Sequence, residues 1–87
     1  MDNPKNKYDF LAIKSLFESG IIKSMKLLEK QSPTNMAKAL GVNYNTYLDK
    51  LSKPELFTIK QIFEMASLCD LDPDLIFQLI KKQSFKA

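Results

Sequence analysis

The most specific chemistry in this chain is carried by four residues close together: Tyr44, Asn45, Thr46 and Asp49. An asparagine amide pairs two-pronged with adenine, a threonine contacts the thymine methyl, and an aspartate accepts from cytosine N4, so the set is suited to reading base edges. Tyr44 opens it, with its ring on the edge of an apolar stripe and its hydroxyl suited to a phosphate oxygen. Lys26, Lys38, Lys50 and Lys53 are the cations placed to neutralise phosphates, contacts that position a protein without naming a sequence. Asn43 has two competing roles, capping a helix and facing a phosphate, and capping comes first. Local hydrogen bonding in a first helical turn is the other account of Asn45 and Thr46.

Such residues need a scaffold, and Ser32 to Lys53 supplies one. Ser32 followed by Pro33 reads as a capped helix start, Ala37 and Leu40 give that helix an apolar side, and Gly41 stops it. Asn43 then caps a second helix whose apolar members are Tyr44, Tyr47, Leu48 and Leu51. A turn this short, with a glycine free to take the left-handed conformation, swings one helix sharply across the other. The spacing puts Ala37 where the two axes come closest and Val42 as the apolar plug beneath the turn. In a helix-turn-helix of this kind the second helix lies in a major groove and the first crosses the backbone above it.

Composition narrows the alternatives. The 87 residues make one domain, expected over 8–82 with loose ends at 1–7 and 83–87. With no histidine and a single cysteine, the chain lacks the usual zinc ligands and the Cys-His or Ser-His nucleophile systems. Asp70, Asp72 and Asp74 lack the central glycine and closing glutamate of a calcium loop, and Asp72-Pro73 reads instead as a helix start. No metal, cofactor or enzymatic activity is expected. No run approaches the 18 or so apolar residues of a membrane span, and the first residues lead to no signal-peptide core, so the expectation is a cytoplasmic protein. Cys69 falls in an apolar helical pattern as a buried structural thiol. The net charge is +3 and every basic residue is a lysine, so the arginine fork that reads guanine is lacking.

Along the chain, Phe10, Ile13, Leu16 and Phe17 repeat at three and four, predicting a helix over 8–19, although β-capable residues leave a short strand as an alternative. Gly20 breaks it. A second helix is predicted over 21–31, with Ile21, Met25 and Leu28 inward, Ile22 on their flank, and Lys23, Lys26 and Lys30 outward. After the pair at 33–40 and 44–51, Pro54 interrupts a loop that Leu56 and Phe57 anchor to the core. Thr58 and Gln61 form a capping box for a helix over 58–69. Its stripe is Ile59, Ile62, Phe63, Ala66 and Cys69, broadened by Met65 and Leu68. The last helix, 73–82, turns Leu75, Ile76, Leu79 and Ile80 inward, and Phe77 points elsewhere. Met65, Leu68 and Phe77 are the dimer candidates.

The residues Ala37, Gly41, Val42, Tyr47 and Leu51 fall where the phage-repressor (Cro/repressor-like) type of helix-turn-helix carries its small residue, turn glycine, plug and two inward apolar residues. The chain resembles that family over roughly Ile21 to Ile80. The loop Pro54-Glu55-Leu56-Phe57-Thr58 and its following apolar helix also look like the family's link from recognition helix to next helix. In detail Leu40 to Asn45, Pro54 to Thr58 and Ala66-Ser67-Leu68 are closest to small single-domain helix-turn-helix proteins of Bacteroidetes-type bacteria. Two positions depart. Pro33 stands where the family commonly has a phosphate- or base-contacting Gln, and Lys50 stands at a usually apolar inward position while the outward position 48 is Leu. Either the recognition helix is rotated slightly, or Leu48 is a surface residue. The resemblance implies an all-α, five- to six-helix, repressor-like DNA-binding domain with a central motif at 33–52. It further implies sequence-specific recognition of double-stranded DNA, as a homodimer on an approximate inverted repeat. The alternative is a protein-interaction module of the same fold, meeting a protein partner through Tyr44, Leu48 and Phe77.

Overall fold

A computed structural model describes residues 4–85, and the side chains from residue 10 to 85. The domain is all-α, with no strand among the described residues: five α-helices, α1 (Pro4–Glu18), α2 (Pro33–Leu40), α3 (Tyr44–Ser52), α4 (Ile59–Cys69) and α5 (Pro73–Ser84). Two 3₁₀ segments, Met25–Lys30 and Pro54–Leu56, join them. The first segment is a helix, not a strand. It starts at Pro4, earlier than expected, because a proline is tolerated in a first turn whose amide would be unpaired anyway. Of the ends expected to be loose, 1–7 and 83–87, residues 4–7 belong to α1 and Gln83 and Ser84 to α5, while 1–3 and 86–87 lie outside the described residues.

Local chemistry explains most boundaries. The Thr58 hydroxyl accepts from Gln61 N at 3.0 Å while the Gln61 side chain accepts from Thr58 N at 3.0 Å, the reciprocal pair that opens α4. Asp72 caps α5 by accepting from Asp74 N at 2.9 Å, with Pro73 at the first position. α4 ends with Asp70 in the left-handed region, φ 54°, and Leu71 N–H reaching back to Ala66 O at 2.8 Å. The exposed Lys14–Asp70 ion pair, 2.8 Å, ties that corner to α1. Its hydrogen bond and charge hold the Asp70 carboxyl below its ordinary value and raise the Lys14 ammonium.

One core joins all the elements. Ile13, Met25, Leu28, Met36, Tyr47, Leu51, Met65, Cys69 and Ile76 are its most deeply enclosed members. α3 packs on the first 3₁₀ segment and on α2, while α4 meets α1, α2 and α5. Burial pushes the Cys69 thiol up to about 12, so it stays protonated and unreactive at neutral pH. The Tyr47 hydroxyl is pushed up as well, first by burial and then by Cys69.

Several expectations need correction. The helix predicted over 21–31 is a short 3₁₀ segment preceded by irregular chain, and within it Ile22 is buried while Ile21 is 59% exposed. Leu75 and Leu56 face water rather than the core, though Phe57 is buried as expected. Ile59 and Phe63, placed in the inward stripe of α4, are 65% and 51% exposed. Met65 is only 1% exposed and lies in the core, so it offers nothing to a dimer surface. The apolar residues of α4 spread over a broad arc, and periodicity alone does not choose which part of it the neighbouring helices cover.

Candidate nucleic-acid interface

The α2–α3 unit is built from its turn. α2 ends at Leu40, Gly41 adopts φ 74°, Gly41 N–H donates to Lys38 O at 3.1 Å and Val42 N–H to Ala37 O at 3.0 Å. These two bonds close the helix end and hand its orphan carbonyls to the turn. A Cβ added to Gly41 would meet nothing within 4 Å, so backbone conformation rather than space selects glycine here. Val42 is half-buried against the core, and Ala37, 2% exposed, is enclosed in that core.

Asn43 is extended, and its side-chain oxygen accepts from Thr46 N at 2.7 Å, so that oxygen belongs to the cap. Ser32 does not behave in the same way. It holds a left-handed backbone, φ 49°, and makes no side-chain cap bond, so α2 begins on the Ser32 carbonyl, which accepts from Met36 N at 3.0 Å.

Burial of Tyr47 and Leu51 fixes the rotation of α3 about its axis. With that side inward, Asn45 and Asp49, one turn apart, are exposed together on the opposite side. Tyr44 and Leu48 form one flank, Tyr44 exposed and Leu48 half-buried against the core; Thr46 and Lys50, both half-buried, form the other. Leu48 thus neither lies wholly in the core nor stands free on the surface, since it is half-buried with an edge left in water. Lys50 is drawn to the loop: its ammonium donates to Leu56 O at 2.8 Å and sits 5.9 Å over the Phe57 ring, which in turn packs edge-on against Tyr47.

Lys26, Lys38 and Lys53 are exposed. Lys26 Nζ reaches Ser52 Oγ at 3.5 Å, which brings a lysine of the first 3₁₀ segment beside Lys53 at the end of α3, while Lys38 occupies the last turn of α2. Two of the expected phosphate lysines therefore gather at one end of the helix.

Sequence reading missed Gln83. Its amide nitrogen donates to Leu51 O at 3.1 Å and Ser52 O at 3.4 Å, and its oxygen accepts from Met25 N at 2.9 Å. One side chain of α5 thus ties the end of α3 to the start of the 3₁₀ segment. A polar residue near the end of a helix carries no signal for a contact this distant in sequence.

Among the described residues no group of three or more His, Cys, Asp or Glu side chains is placed to hold a metal ion, and no helix is long and apolar enough to cross a membrane. No protein-family model, curated protein or solved structure matches the chain.

Proposed function

We propose that this domain is a sequence-specific double-stranded DNA-binding protein of the phage-repressor kind, a cytoplasmic transcriptional regulator that lays α3 in the major groove. The observation that carries the reading is α3 itself: held on its inner side by Tyr47 and Leu51, it presents Asn45 and Asp49 outward, with Tyr44 on its flank. Lys26 and Lys53 at its end, with Lys38 on α2, supply phosphate contacts around that face. A single module gains only about 1–3 kcal/mol of discrimination per good base contact, so useful specificity calls for two copies on an approximate inverted repeat, their α3 helices about 34–36 Å apart. The role is binding rather than catalysis.

The test is a salt-titrated binding assay on genomic fragments that include the protein's own promoter region. Replacing Lys26, Lys38 or Lys53 with Ala is expected to weaken cognate and noncognate binding alike and to lower the salt slope by about one per contact. Asn45→Ala and Asp49→Ala are expected to cost about 1–3 kcal/mol on the cognate site alone. No cognate preference in the wild type, or five substitutions without effect, sinks the proposal. A second reading, a protein-interaction module, draws on the exposed Tyr44 beside Leu48 and on the absence of arginine. Loss of a protein partner on Tyr44 or Leu48 substitution, with DNA binding never detected, would favour it.

A further inference from the structure

Lys26 and Lys53 stand in mixed company. Asp49 lies one turn before Lys53 on α3, Glu29 follows Lys26 within the first 3₁₀ segment, and Glu55, whose Oε1 accepts from the Ser84 hydroxyl at 3.0 Å, comes just after Lys53. Carboxylates thus interleave with lysines at this end of α3. Phosphate binding there depends on where the ammonium groups are held more than on a general positive field. A lysine stem is flexible, so holding its head begins with holding the backbone that carries it.

Gln83 holds both backbones. Half-buried near the end of α5, it donates from Nε2 to Leu51 O at 3.1 Å and Ser52 O at 3.4 Å, the two carbonyls immediately before Lys53. Its Oε1 accepts from the N–H of Met25 at 2.9 Å, the residue immediately before Lys26. The Lys53 backbone is also fixed from its own side: its N–H donates to Asp49 O at 2.9 Å and its carbonyl accepts from Leu56 N at 2.9 Å. Lys26 Nζ then reaches Ser52 Oγ at 3.5 Å across the junction that Gln83 closes. Helix ends leave carbonyls without partners and helix starts leave amides, and a side-chain amide serves both because it carries donor and acceptor together. A carboxylate lacks the donor and an ammonium lacks the acceptor.

We propose that Gln83 is a positioning residue for DNA binding: by joining the end of α3 to the start of the first 3₁₀ segment, it sets the spacing of Lys26 and Lys53 so that both ammonium groups meet the phosphate backbone together. The proposal rests on the DNA-binding reading above and extends it to α5, an element outside the helix-turn-helix. A glutamine that served stability alone would change how much protein is folded. A positioning glutamine also changes the affinity of the folded protein, and it does so only through the two lysines.

A double-mutant cycle in the salt-titrated DNA assay, at a temperature where circular dichroism shows each variant folded, tests this. Gln83→Met keeps the length of the side chain and loses its hydrogen bonds. It is expected to weaken cognate and noncognate binding alike by about fivefold or more and to lower the salt slope, yet to add nothing to the double variant Lys26→Ala, Lys53→Ala. In an Asn45→Ala protein, whose lysines are intact, the same loss is expected in full. Gln83→Asn, one methylene too short to hold both partners, should repeat the pattern and stands in if the methionine variant does not fold. Equal losses with and without the two lysines, a loss confined to the cognate site, or no loss at all would overturn the proposal while leaving DNA binding itself in place. A wild type that binds no DNA removes the DNA-binding reading and this proposal with it, so the wild type alone tells the two failures apart.

Discussion

The turn after α1 and the turn after α2 close their helices in the same way and then diverge. Gly20 and Gly41 both sit in the left-handed region, at φ 80° and 74°, and each passes a pair of backbone bonds back into the last turn of the helix before it. After Gly41 the chain needs two residues to reach Asn43, whose side chain takes the Thr46 amide and starts an α-helix at once. After Gly20 come Ile21, Ile22 and Lys23, and then Ser24, extended but making no side-chain cap bond, and the segment it precedes is only 3₁₀. Stopping the helix is therefore local in both places, while the two starts that follow differ in the acceptor their first amides find. Where the neighbouring residues supply none, Gln83 supplies it to Met25 from 58 residues further along.

The largest expected effect falls on the α2–α3 side of this comparison. Ala37 is enclosed in the core and its carbonyl takes the Val42 amide at the turn, so Ala37→Leu forces added methylenes into a packed interior. The expected cost is about 1–3 kcal/mol or more, large against the roughly 5–15 kcal/mol total of a small domain. Urea unfolding would show it, and a wild-type midpoint would mean that the core has spare room at this position.

Next comes the long-range cap. Gln83→Leu strands the Met25 amide and removes a donor from the carbonyls of Leu51 and Ser52, for an expected loss of about 1–3 kcal/mol. Hydrogen exchange localises it: Met25 should lose protection while the amide of Thr46, capped by Asn43, keeps its own. Gln83→Glu retains the acceptor and should keep Met25 protected, which distinguishes capping from mere packing. Equal exchange at Met25 in all three proteins would remove Gln83 from the account.

A direct comparison of the two helix starts is gentler. Asn43→Ala should cost about 1 kcal/mol, the usual loss for a side-chain cap, whereas Ser24→Ala should leave the midpoint nearly unchanged. Similar losses at both positions would show that Ser24 stabilises its segment by some other route.

The same contrast explains what could be read in advance. The end of α2, the start of α3, the Thr58–Gln61 box and the Asp72–Pro73 start all rest on bonds between residues at most five apart, and residue type announces them. Asn45 and Asp49 were legible as an outward pair because only one side of α3 is thoroughly apolar. The outward turn of Ile59 and Phe63 was not, because they continue the apolar arc of Ile62, Met65, Ala66 and Cys69, and α1, α2 and α5 together decide which part of that arc is covered. Neither was the choice between Ile21 and Ile22, two adjacent residues of identical type whose directions depend on the path after Gly20. The contact of Gln83 with Met25 belongs to tertiary structure alone.

The smallest expected effect sharpens the comparison at a third helix start. Ser32-Pro33 carries the residue types of a capped beginning, yet Ser32 is left-handed and its hydroxyl caps nothing, so α2 opens on backbone strain where α3 opens on a relaxed Asn43. An L-residue in that region bears roughly 1–2 kcal/mol that glycine avoids, while glycine gives back about 0.4–1 kcal/mol through the freedom of its unfolded chain. Ser32→Gly is therefore expected to stabilise the domain by a few tenths to about 1 kcal/mol, a rise of several degrees at most in the melting temperature of a chain this size. Calorimetry alongside Asn43→Gly provides the control, because Asn43 is extended and caps Thr46, and glycine there can only lose the bond. A destabilised Ser32→Gly would mean that the serine side chain contributes more to the start of α2 than its strained backbone costs.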